Sequence, residues 1–150
     1  MKIGMIIFCL VMSNLSFAGT WGILAFENDS AQDWYLDVSS SLTPNEDINR
    51  ALSLEPNAFV ESYECEMALA ASELLASKLD GDLNAIPFKN NIWVTSGKIE
   101  ANDAKIELAI IALNRCLNIS NSELAVLWSE SSMYKEFKVG VEKLLNRLQR

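Results

Sequence analysis

The chain has 150 residues, half of them hydrophobic, with twelve Lys and Arg against twenty Asp and Glu for a net charge of −8, and it contains no His. That length holds one domain with a sizeable core. The acidic balance argues against nucleic acid, whose binding rests on neutralising phosphates. The missing imidazole removes the commonest general base near neutral pH and the commonest metal ligand, along with every Ser-His or Cys-His pairing.

Residues 1–18 read MKIGMIIFCLVMSNLSFA, with one Lys before an apolar run from Ile3 to Met12 and Ser16-Phe17-Ala18 at the end. This is the order of a secretory signal, so cleavage after Ala18 is expected. Residues 19–150 would then form a single helical domain in the periplasm or outside the cell. The apolar run is far shorter than the roughly 20 residues that span a bilayer, so no stable membrane span is expected after cleavage. Cys9 lacks the small residue that precedes a lipoprotein cysteine and should leave with the leader. Eleven bases and twenty acids remain, a net charge of −9.

Those charges are unevenly placed. Residues 19–88 carry thirteen acids and two bases, whereas residues 89–150 carry seven acids and nine bases, five of them in the last sixteen residues. Either the two halves attract each other in the fold, or one acidic face points outward. Periodicity does not separate these outcomes.

The mature chain reads as helices. Asn28, Asp29 and Ser30 offer caps for a helix running to about Ser40. Thr43-Pro44-Asn45-Glu46 predicts a second helix to about Leu54, with Thr43 as N-cap and Glu46 closing a capping box. The strongest element follows. Phe59, Tyr63, Met67, Ala70 and Leu74 form one helical stripe, with Val60, Ala71 and Leu75 beside it, and Asp80-Gly81 supplies the stop. Ala68, Ala70, Ala71 and Ala76 would let a neighbouring helix come close, which predicts a central position.

The stretch from Asp82 to Lys98 is the least helical, with Ile92, Trp93 and Val94 as one turn or a short extended piece. A further helix places Ile106, Ala109, Ile110, Leu113 and Leu117 on one face. Ser120 and Glu123 predict a capping box for a short helix through Leu124, Leu127 and Trp128. The last helix sets Tyr134, Phe137, Val141, Leu144 and Leu148 opposite Lys135, Lys138, Lys143 and Arg147. The expected fold class is all-α, a single-domain bundle of five to six helices.

Two cysteines remain after processing. Cys65 and Cys116 either pair, for a few kcal/mol of stabilisation over a loop of about fifty residues, or behave as small buried apolar groups. Zinc-type Cys pairs, Gly-rich phosphate loops and a G-x-S-x-G turn are absent, and neither a cofactor nor a metal is implied. Carboxylates are what remains for chemistry. Asp29, Asp33 and Asp37 share one helix face, where capping, the helix dipole and water explain them without a site. Glu61, Glu64, Glu66 and Glu73 are expected on a solvated surface.

The stretch G-T-W-G-x-x-x-F-E-N-D-x-A-x-D-W, Gly19 to Trp34, resembles the opening signature of an uncharacterised bacterial family, domain of unknown function 4259. Further similarity lies in Ala68–Leu79, Trp93-Val94, Ile111–Leu117 and Ser122–Ser131. The resemblance implies a domain and no activity. This chain departs from the family in its leader and in Glu27, where Asp is often used.

Members without a leader begin Met-Gly-x-Trp-Gly, so loss of the initiator Met and signal cleavage here would expose the same Gly amine. That convergence predicts that the Gly19 ammonium is held by Glu27, Asp29 or Asp33, with Trp21, Phe26 and Trp34 packed around it. Gly19, Trp21, Glu27, Asp29, Asp33 and Trp34 are therefore the candidate binding residues. The leading functional expectation is a non-catalytic binding protein for a basic protein partner, an immunity protein being one form. The alternative is a carboxylate-based metal-binding or hydrolytic domain built on the same N-terminal motif.

Overall fold

A computed structural model describes residues 22–87 and 92–150. The leader, Gly19 and Trp21 lie outside the described residues. Among the described residues seven helices follow in chain order: α1 (Asp29–Ser40), α2 (Pro44–Leu52), α3 (Ser62–Asp80), α4 (Ile92–Thr95), α5 (Asp103–Cys116), α6 (Glu123–Ser129) and α7 (Tyr134–Leu148). The count exceeds five or six because Ile92–Thr95 closes one helical turn. The β-type pairing among the described residues is a single parallel bridge between Val60 and Ser122. The fold class is all-α.

α3 is the axis of the molecule. Twelve of its residues are buried, from Cys65 to Ser77, and α1, α2, α4, α5, α6 and α7 all pack against it. A helix surrounded in this way is apolar and small all round rather than amphipathic. Ala68, Ala70, Ala71 and Ala76 are fully inaccessible, so neighbouring helices approach its backbone closely. Leu74 and Leu75 fill the space beside them, and truncating Leu74 to Ala should cost about 3 kcal/mol. Gly81 ends the helix in the left-handed region at φ 75°, donating its N–H to the Ser77 carbonyl.

The predicted stripe does not run the full length of this helix. Phe59 and Tyr63 are 56% and 47% exposed, because α3 begins only at Ser62 and its first turn projects beyond the core. Two capping expectations also change. Thr43 makes no side-chain cap bond; the Ser41 hydroxyl accepts the Thr43 N–H instead and donates to Asp47. The cap of α6 is Ser122 rather than Ser120, its hydroxyl accepting the Ala125 N–H at 3.2 Å.

Glu123 consequently sits inside the first turn of α6, and its carboxylate accepts the Ser62 N–H of α3 at 2.8 Å. It thereby satisfies an open donor at the start of a different helix. Cys65 of α3 and Cys116 of α5 are joined by a disulfide, with Cα atoms 5.5 Å apart. Both cysteines are fully buried.

Candidate functional site

The N-terminal motif builds a clasp before it builds anything else. Gly22 N–H donates to the Glu27 carbonyl at 3.1 Å, and Glu27 N–H donates to the Leu24 carbonyl at 3.0 Å. The Glu27 carboxylate turns back and accepts the Leu24 N–H at 3.0 Å. A Cβ on residue 22 would lie 2.0 Å from Glu27 Oε2, so only glycine fits there. The second Gly of Gly-Thr-Trp-Gly and the Glu of Phe-Glu-Asn-Asp are thus two halves of one loop.

Asn28 then starts α1. Its Oδ1 accepts the Ala31 N–H at 2.7 Å, and its Nδ2 donates to the Ala25 carbonyl at 3.3 Å. Of the three offered caps, Asn28 is the one used. Gln32 Nε2 donates to the Phe26 carbonyl at 3.0 Å, tying the loop to the helix a second time. Phe26 is buried edge-on against Tyr35, ring centres 5.4 Å apart. The Tyr35 hydroxyl in turn accepts the Trp93 indole N–H at 2.9 Å, which pins α4 onto α1. Burial raises the Tyr35 phenol above its ordinary value, against the smaller opposite pull of that hydrogen bond.

With Glu27 and Asn28 used in the loop and cap, the remaining motif residues divide by side of the helix. Asp29, Asp33 and Asp37 are all exposed, and Trp34 is half-buried. Trp34, Asp37 and Val38 of α1, Ser41 after it, Asp47, Arg50 and Ala51 of α2, and Met67 of α3 border a cleft of about 500 Å³. Asp47 is occupied on both oxygens, by Arg50 Nη1 at 2.9 Å and by the Ser41 hydroxyl. Among the described residues, no group of three or more His, Cys, Asp and Glu is placed to hold a metal ion.

Of the four glutamates expected on a solvated surface, Glu61 is exposed and Glu64 part-buried, whereas the other two are not solvated. Glu66 and Glu73 are each only 5% exposed. Arg147, expected on the outer side of α7, reaches inward instead. Its Nη1 donates to Glu73, its Nε donates to Asp80 Oδ2 at 2.7 Å, and its Nη2 donates to Asp80 Oδ1 at 3.2 Å. The hydrogen bond from Arg147 is the main reason that the Asp80 carboxyl lies below the usual range. Asp80 first, and Glu73 after it, hold Arg147 above its ordinary value against the effect of burial. Sequence reasoning missed this cluster because Glu73 and Arg147 stand 74 residues apart, and each alone looks like a surface charge.

The described residues define an all-helical domain packed around α3, with a cleft between α1 and α2 bordered by Trp34, Asp37, Asp47 and Arg50. Residues 19–139 match the family model described as a domain of unknown function, DUF4259, and the chain belongs to that family. No curated protein and no solved structure matches it. Arg147 lies beyond the matched span. No helix among the described residues is long and apolar enough to cross a membrane.

Proposed function

We propose that the protein is exported after loss of residues 1–18 and acts as a non-catalytic binding protein for a basic partner, neutralisation of a cationic toxin being one concrete form. The observation that carries this reading is the exposure of Asp33 and Asp37 along α1. Buried or partnered carboxylates would serve the fold; exposed ones raise the local concentration of cations and speed their encounter. Two observations support export. The family match begins at Gly19, the residue after the expected scissile bond. The Cys65–Cys116 bond is of a kind that persists in oxidising compartments.

The test is recovery of the protein from the exported fraction at low ionic strength. A basic partner should accompany it and dissociate at high salt, since surface charge pairs are screened beyond about 8 Å at physiological ionic strength. Recovery of the protein alone at low salt contradicts the binding reading. The mass of the recovered chain tests export separately, with Gly19 as the expected first residue.

A further inference from the structure

We infer that the cleft between α1 and α2 is the seat for one Lys or Arg side chain of the basic partner, presented by an extended segment whose basic residues alternate with neutral ones. The inference rests on the binding reading above and names the site and the chemistry of what enters it.

The cleft's charges point to a cation. Asp37 and Asp47 contribute two negative charges and Arg50 one positive, a net of −1. Arg50 is answered by Asp47 at 2.9 Å, and the second oxygen of Asp47 takes the Ser41 hydroxyl. No ion pair among the described residues involves Asp37. An anion entering the cleft would meet Asp37 and compete with Asp47 for Arg50, whereas a monocation meets the carboxylate that remains.

The floor suits the rest of such a side chain. Val38 and Ala51 are buried, Met67 is a flexible thioether, and Trp34 offers an aromatic surface. Methylenes of a Lys or Arg stem can lie along the first three while the charged head faces the indole and Asp37. A volume of about 500 Å³ holds one long side chain with the backbone on either side of it.

The pair leading to the cleft explains the preference for an alternating segment. Asp33 and Asp37 are four residues apart, so Asp37 lies about 6 Å beyond Asp33 along the helix. Every second residue of an extended chain advances by nearly the same distance, about 6.6 Å. Basic side chains at alternate positions therefore keep in step with the pair, and the last one reaches the cleft.

The probe is the peptide acetyl-Lys-Ser-Lys-Ser-Arg-amide, titrated into the full chain at low salt and followed by amide and indole shifts in NMR. A peptide of the same composition with its three basic residues adjacent is the control. Saturable shifts centred on Trp34, Asp37 and Arg50 are expected, with the alternating peptide binding more tightly than the control. Asp37→Asn, at an exposed position, should weaken binding about fivefold. Trp34→Leu should weaken it about threefold. Removing the like charge with Arg50→Gln should strengthen it.

Shifts confined to other surfaces, equal binding of the two peptides, or an Asp37→Asn variant that binds as well as the parent overturns the inference. If Asp37→Asn and Trp34→Leu abolish the cleft shifts yet keep a salt-sensitive native partner, the partner docks elsewhere. That result overturns the cleft assignment and leaves the binding reading standing. Absence of any partner for the unaltered protein overturns that reading itself.

Discussion

The C-terminal ends of α3 and α7 and the outer face of α1 use charge in opposite ways. At the first, Arg147 crosses from the basic half of the chain to Glu73 and Asp80 of the acidic half, with side chains only 19%, 7% and 26% exposed. Along α1, Asp33 and Asp37 of the acidic half are exposed, and Asp37 borders a cleft. The uneven charge of the chain is thus settled twice, once by internal attraction and once by display. A charge consumed inside the fold contributes to stability; a charge left outside contributes little to it and is available to a partner.

Experiments that remove one region or the other should separate these roles, beginning with what holds α3 in place. The disulfide closes a separation of 51 residues and fixes α3 to α5 at the end remote from Arg147. Its reduction under partly denaturing conditions should lower unfolding free energy by about 4 kcal/mol on the chain-entropy account, measured by urea unfolding. Unchanged stability after complete reduction would show that the crosslink only decorates an already rigid contact.

Arg147→Ala should cost about 3 kcal/mol, because it leaves the nearly buried Glu73 without its cation. The loss should have a pH signature. Asp80 is held below the ordinary carboxylate range, so its contribution is present above that range and disappears as pH falls through the depressed value. In Arg147→Ala this part of the acid sensitivity should vanish, and an identical slope of stability against pH in both proteins would refute the assignment.

Smaller still is the effect expected at Tyr35. Its phenol is raised, so the associated stability is complete below the ordinary tyrosine value and is lost as pH rises through the higher one. Absorbance titration should show one of the three tyrosines ionising late, and Trp93→Phe should alter that step.

Much of the fold was legible because it is written locally. Asn28 before α1, Gly81 after α3 and the stripe from Phe137 to Leu148 in α7 each state a boundary or a buried face within a few residues. The errors share a cause as well. Ser120 and Ser122 are equally good caps in isolation, and the choice between them is made by the Val60–Ser122 bridge and by the bond from Ser62 N–H to Glu123, 61 residues away. Glu73 and Arg147 were assigned to solvent for the same reason.

The N-terminal motif was read as one cluster around a terminal amine. Glu27 and Asn28 instead organise the loop and cap, Asp33 is exposed, and Trp34 is half-buried against the core. Gly19 and Trp21 lie outside the described residues. The cleft itself could not be read, since α2 and Met67 supply half of its wall.

The most direct test of display against consumption is an exchange of two exposed α1 carboxylates, Asp33→Asn and Asp37→Asn, followed by low-salt recovery of the variant beside the unaltered protein. Unfolding free energy should stay within about 0.5 kcal/mol, as expected for surface substitutions, while the salt-sensitive basic partner is lost. A double variant that unfolds as readily as Arg147→Ala, or that keeps its partner, would contradict the account.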